Sequence, residues 1–564
     1  MSVKKIYKNT TKFIKIKIWK NIVAFFHKKR VQFSIFTFLA FIAPSVLYSL
    51  FYENYRIRVF DPLFLGSFIT LSVAMSFSKK WLSIPVFIMF CIMELIQFGH
   101  IFYFGTPITP FELELLWKER GEITESGLDT FPQCLIFIFC VLTPYIAIIW
   151  AYLKKLNKKG SYIATILTIW ILSILPRRAY RGGATVINNL MPRNDMVSIY
   201  NSMNAFSACI FNRMLHSFGQ NTKLVEYKPY TAKKISTPEN VNIVVIVGES
   251  INPKRMSLYG HSRNTTPYLN VLAKNNKNFI HKLGFSSSVL TTVATTMFFN
   301  VQREPNNMMH TAKQPTHLFK LAKDNGFTTA YISAQNSLIT RGMAPNYVDI
   351  WHVRELAPLL EEKRGDFVIL DMLEKYKPRF SDKNFIVLHQ RSPHSPYHLR
   401  YKNYPQFDKW HTKNASRDEN TRDTYDNAML FTDYFLNETI EYFKKNSKRP
   451  TYIIWLPDHS ELMGENGIWG HIIVNLEVSK IPFFVMTLNT KDTSFLNKFK
   501  DIFQPTHYEI AKLVAELLGY KIINPNEKAG IFYVNGSVIT GDAGWFELDK
   551  SNGKEVKTKF HNPS

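Results

Sequence analysis

Cysteine is scarce in this chain. Four occur in 564 residues, Cys91, Cys134, Cys140 and Cys209, three of them inside apolar runs and none beyond residue 209. The C-terminal half therefore contains neither a disulfide nor a cysteine-ligated zinc site. Acidic side chains are missing from the first 30 residues, where Lys4, Lys5, Lys8, Lys12, Lys15, Lys17, Lys20, Lys28, Lys29 and Arg30 cluster. That basic stretch is too long for a cleavable signal peptide, and no small-residue cleavage site follows it. A nucleic-acid-binding motif is also lacking, although the formal net charge is +25. A basic membrane protein beside anionic head groups accounts for the charge without nucleic acid.

What is present divides into two unlike halves. Five stretches, about 32–52, 58–78, 81–103, 131–153 and 161–177, are apolar enough to span a bilayer. Lys79 and Lys80 separate the second from the third, and Lys154, Lys155, Lys158 and Lys159 the fourth from the fifth. By the positive-inside rule these loops and the N-terminus are cytoplasmic, so five crossings put the rest of the chain outside. Arg177, Arg178 and Arg181 run against that assignment. An external loop, about 104–130, carries Glu114, Lys118 and Glu122 at helical spacing. They form either a head-group-binding face or a solvated helix surface.

Residues 179–240 read as a linker lying along a membrane surface, mixing Tyr180, Arg181, Phe206, Tyr227 and Tyr230. From 241 to 564, β-branched runs at 242–247, 327–333, 384–389, 451–456 and 481–487 alternate with amphipathic stretches at 315–325, 424–445 and 506–519. Buried strands separated by helices predict an α/β domain with a mostly parallel sheet. Functional side chains are then expected just beyond the C-terminal ends of the strands.

Chemistry-bearing residues fall there. Glu249 follows the run Val244–Gly248, and Asp458-His459 follows Tyr452–Pro457. Two carboxylates and an imidazole offer the hard oxygen and nitrogen ligands of a tetrahedral zinc site. His389 and His394 sit in one turn-rich loop after the third run, with Arg391 between them, and His471 lies twelve residues past His459. These histidines suit a second metal or a phosphoryl group. A hydroxyl-rich run, Ser286 to Thr296, supplies candidate nucleophiles, which need a metal or base to be activated.

In their order and spacing these motifs resemble the phosphoethanolamine transferases that modify lipopolysaccharide, within the alkaline phosphatase superfamily. The resemblance rests on Gly248-Glu249-Ser250, Met256–Gly260, Arg263–Pro267, His389 with Ser392–Pro396, Tyr425–Ala428 with Thr432-Asp433, and Asp458–Glu461 with Gly464–Gly467 and His471. It implies five transmembrane helices followed by a periplasmic α/β domain, in the inner membrane of a bacterium. It implies that Glu249, Thr291, Asp458 and His459 bind Zn²⁺, with Thr291 as nucleophile. His389, His394 and His471, with Glu114 and Glu122, would bind substrate: phosphatidylethanolamine as donor, lipid A or the lipopolysaccharide core as acceptor. Two departures stand out. Ala294 and Thr296 replace a Ser and a Pro often found after the nucleophile, which leaves Thr292 and Ser288 open as alternatives. Glu114 and Lys118 stand where some relatives have Asn and Thr. A phosphoglycerol transferase and a non-catalytic membrane scaffold are the competing readings.

Overall fold

The computed structural model describes residues 29–52, 62–118, 120–155, 160–181, 189–214, 226–337 and 339–563. The basic residues before Lys29 lie outside them, as do Lys158 and Lys159. The chain forms two compact units: Met1–Lys118 with Gly127–Gln220, and Glu119–Ser126 with Asn221–Ser564.

The first unit is helical. Among the described residues, three helices are long and apolar enough to cross a membrane, Lys29–Phe51, Lys80–Phe104 and Tyr162–Arg181. The two other expected spans coincide with shorter apolar helices, Leu65–Phe77 and Ile138–Lys154, the latter part of Arg120–Lys155. Large side chains such as Leu50, Ile163 and Ile166 point outward, as lipid-facing helices require. Inside, Phe41 meets Phe68 and Phe90 edge-on, and Phe33 and Phe87 pack on Tyr152. The buried carboxylate of Glu94 accepts hydrogen bonds from the hydroxyls of Ser198 (2.8 Å) and Ser202 (3.3 Å), which meets its polar demand within the bundle.

The second unit is built on a seven-stranded sheet. In chain order its strands are β1 (Asn242–Gly248), β2 (Phe279–Phe285), β3 (Thr328–Ser333), β4 (Ile350–His352), β5 (Asn384–His389), β6 (Thr451–Pro457) and β7 (Lys480–Leu488). Their spatial order is β2-β7-β6-β1-β5-β3-β4. From β6 through β1, β5 and β3 to β4 neighbours run parallel, whereas β7 runs antiparallel to both β6 and β2. The sheet expected to be mostly parallel is thus mixed, because β7 returns directly from the Asp458–Ser479 excursion to pair with β6. β1 is buried along its whole length, as a central strand of Val and Ile covered on both faces must be. Residues Ile243, Val245 and Val247 face one apolar core, Val244 and Ile246 the other. Each such fully buried side chain contributes roughly 1.5–3 kcal/mol.

Helices cover both faces. Arg417–Asn446 opens with a capping box from Ser416 and Glu419, and His507–Leu517 with one from Thr506 and Glu509. The parallel strands end on one side, so the loops after β1, β3, β5 and β6 gather there.

Candidate metal centre

Glu249, Asp458 and His459 come together at those strand ends. Their ligand atoms lie within 4.8 Å of one another, and all three side chains are fully buried. The register explains it: Gly248 pairs with Pro457 across the parallel β1–β6 ladder, so the residues that follow, Glu249 and Asp458, leave the sheet side by side. Ser250 adopts a left-handed backbone conformation, φ 53°, unusual for a residue with a Cβ. That bend lets its N–H donate to Asp458 Oδ1 (3.1 Å) while its hydroxyl donates to Glu249 Oε1 (2.8 Å).

The protonation pattern leaves electron pairs pointing inward. His459 Nδ1 faces the Ser460 carbonyl at 2.9 Å, so Nδ1 carries the proton and Nε2 presents its lone pair. That Nε2 stands 3.3 Å from Asp458 Oδ2 and 3.8 Å from Glu249 Oε1. Asp458 Oδ2 is buried without a hydrogen-bond partner. Burial holds the His459 pKa down to about 4, which keeps the ring neutral as a ligand must be. For Asp458 burial opposes ionisation, yet the His459 ring and the Thr291 hydroxyl outweigh it and keep the carboxyl below its ordinary range. Lone pairs converging in a dry site with an orphaned carboxylate oxygen fit a cation, and an oxygen and nitrogen donor set suits Zn²⁺.

Thr291 is the hydroxyl at this point. It opens the helix Thr291–Phe299 directly after Leu290, is 5 % exposed, and its Oγ1 lies 3.1 Å from His459 Nε2. Ser288 instead donates to the Gly536 carbonyl (2.8 Å), so its hydroxyl is engaged elsewhere. Of the three histidines, His471 stacks on His459 with ring centroids 4.3 Å apart, its Nδ1 held by Glu461 Oε2 at 2.9 Å. His394 stands edge-on to His471 at 5.6 Å. His389, at the end of β5, bonds through Nδ1 to the Tyr331 hydroxyl (2.8 Å) and has a buried Nε2 without a partner. Burial holds it down to about 4 as well.

Glu114 belongs to the helical unit, where it pairs with Arg213 at 2.6 Å. The side chains of Lys118 and Glu122 lie outside the described residues. Residues that sequence reasoning passed over complete the centre. Gln335, two residues beyond β3, donates to Glu249 Oε2 (2.6 Å) and to the Gln390 carbonyl (3.0 Å). The rule that sends functional groups to strand ends pointed to it, but an amide in a loop carries no ligand signature.

Residues 241–517 match the family described as Sulfatase. The Kdo(2)-lipid A phosphoethanolamine 7''-transferase of Escherichia coli is 24% identical over 371 residues, 64% of this chain and 61% of that protein. Phosphoethanolamine transferase EptA of Salmonella typhimurium is 28% identical over 240 residues, 40% of this chain and 42% of its own. The chain thus spans less than two thirds of the length of these curated relatives. The integral membrane lipooligosaccharide phosphoethanolamine transferase A of Neisseria meningitidis shares the fold, with a TM-score of 0.60 at 17% identity, covering 88% of this chain and 96% of that one. Residues 241–517 thus carry the match to the Sulfatase family, in a chain that is similar over part of its length to phosphoethanolamine transferases.

Proposed function

We propose that this chain is a zinc-dependent phosphoethanolamine transferase, moving the group from phosphatidylethanolamine to lipid A or the lipopolysaccharide core. In this reading five apolar segments within residues 1–178 anchor it in a bacterial inner membrane, residues 179–240 link, and residues 241–564 form a periplasmic catalytic domain. Glu249, Asp458, His459 and Thr291 would hold the ion. The observation that carries the reading is the Thr291 hydroxyl set against the converging lone pairs of a buried Glu-Asp-His group.

When bound, zinc would act as a Lewis acid that favours the ionised form of a hydroxyl. The Thr291 oxygen forms a bond to the phosphorus of phosphatidylethanolamine while the bond to the diacylglycerol oxygen breaks. The proton leaving Thr291 ends on the released diacylglycerol. An acceptor hydroxyl or phosphate oxygen then takes the phosphoethanolamine from Thr291, which regains its proton. His389 donates through Nε2 to a phosphoryl oxygen, and His394 and His471, whose Nδ1 protons are held by the Ser395 carbonyl and Glu461, do so as imidazolium ions, against charge that grows during transfer. Ser250 and Gln335 hold the Glu249 and Asp458 carboxylates in register throughout. Enzyme and donor held in one membrane meet at raised effective concentration.

The experiment is diacylglycerol release from fluorescent phosphatidylethanolamine by the full chain and by Thr291→Ala. Release by the parent and its loss in the variant are expected. Undiminished release by Thr291→Ala overturns the nucleophile. Release from phosphatidylglycerol instead of phosphatidylethanolamine overturns the donor.

A further inference from the structure

The nucleophile and the ion's ligands come from parts of the chain that the sheet does not join directly. Thr291 follows β2, at the sheet's edge, whereas Asp458 and His459 follow β6, with β7 between the two strands. Something must fix the distance between the helix Thr291–Phe299 and the end of β6. The ladder cannot do so, because both groups lie beyond it.

His507 sits at that junction. It is 1 % exposed and is the first residue of the helix His507–Leu517, after the Thr506 cap. Its Nε2 lies 2.9 Å from the carbonyl oxygen of Pro457, the residue before Asp458. A carbonyl only accepts, so Nε2 carries the ring proton and Nδ1 is left as the acceptor. Nδ1 lies 3.2 Å from the hydroxyl of Ser287, four residues before Thr291. The one Ser287 O–H is shared between Nδ1 and the Ala294 carbonyl, 3.1 Å away in the first turn of the nucleophile's helix. The ring also packs against aromatic side chains. It meets Phe298 of that same helix edge-on at 5.6 Å and Phe483 of β7 at 5.9 Å. One imidazole thus touches the nucleophile's loop, its helix, the intervening strand and the backbone before the ligands.

We propose that His507 is a positioning residue that braces Thr291 against the Asp458-His459 loop and sets their separation for transfer. It does not reach the reacting atoms. A neutral imidazole suits the task because it is donor at one end and acceptor at the other, rigid between them. Serine and asparagine are too short to span from one end to the other, and leucine can neither donate nor accept. Burial holds the ring down to about 4, so the donor–acceptor pattern persists through the working pH range. The brace rests on Thr291 being the nucleophile of the proposed transfer.

The test is steady-state release of diacylglycerol from fluorescent phosphatidylethanolamine in detergent micelles, using the full-length chain. His507→Ala is compared with Ser287→Ala, with the double variant, and with His507→Asn, which keeps an acceptor near the Nδ1 position. Bound zinc is counted in each. A displacement of about 1 Å between reacting groups costs up to about 100-fold in rate. The expected result is a kcat lowered about 10- to 100-fold in His507→Ala, with KM within about threefold and zinc content unchanged. The double variant should lose less than the product of the two single losses, since both cut one chain of contacts. His507→Asn should recover part of kcat, and it carries the comparison if the alanine variant does not fold. A kcat within twofold of the parent in both His507 variants overturns the brace. So does a loss that tracks zinc content, or one that multiplies independently with Ser287→Ala. If the parent itself releases no diacylglycerol, the transferase reading fails and the brace falls with it.

Discussion

Asp458→Asn should raise the stability of the metal-free protein while abolishing its response to zinc. In the native site Asp458 Oδ1 accepts the N–H groups of Ser250 (3.1 Å) and His459 (2.7 Å). Oδ2 has no hydrogen-bond partner and stands 3.3 Å from the His459 Nε2 lone pair. Asparagine keeps the first oxygen and replaces the second, an acceptor with no donor, by an NH₂ group. Relieving a buried, unmet acceptor is worth about 1–3 kcal/mol. A net gain of about 2 kcal/mol corresponds to about 3 °C in melting midpoint for a domain of this size, at ~2 cal/mol/K of unfolding entropy per residue. With zinc at a thousand times its dissociation constant, the parent gains about 4 kcal/mol by mass action and the variant little. The order of stabilities should therefore invert on adding metal. The assay is tryptophan fluorescence on heating in detergent micelles, in chelator and in zinc. A variant that melts below the parent in chelator, or that rises with zinc as much as the parent, refutes the reasoning.

Gln335→Met removes the donor to Glu249 Oε2 at nearly constant volume. Zinc affinity, read by chelator competition, should fall about 10- to 100-fold, and an affinity within twofold of the parent would show that Gln335 does not orient the ligand. Gly284→Ala tests the edge of the sheet, since a Cβ there would meet the Pro505 carbonyl oxygen at 1.9 Å and the Phe483 ring at 2.9 Å. Overpacking of this kind should cost about 2–3 kcal/mol in denaturant melts of the micellar protein, and a neutral result would count against the tight β2–β7 seam.

The candidate metal ligands were legible because their chemistry is written next to their structure. Glu249 and Asp458-His459 each follow a run of β-branched residues, and parallel pairing of those runs brings them together. The same logic located β1, β3, β5, β6 and β7. Strands β2 and β4 escaped it for local reasons. β2 reads Phe-Ile-His-Lys-Leu-Gly-Phe, with an interrupted burial pattern suited to an edge, and β4 is three residues long. The reversal of β7 left no local trace, since strand direction depends on where the preceding excursion ends. Gln335 and His507 were equally hidden. An amide and a buried imidazole matter through the partners that the tertiary fold supplies, and nothing in their own sequence neighbourhood names those partners.

The spatial order of the sheet also has a consequence for how the protein is made. β1, at residues 242–248, lies between β5 and β6, neither of which exists until residues 384–389 and 451–457 have been synthesised. For some two hundred residues of chain growth, a strand of Val and Ile has at least one open edge, a template for wrong pairing. Sheets closed by such distant segments fold slowly. Glu249 waits through the same interval without its partner ligands, and His507 comes later still. Assembly of the candidate metal centre is therefore a closing event in the folding of this unit. A nascent or clipped chain ending before residue 458 has no centre in which to hold the ion.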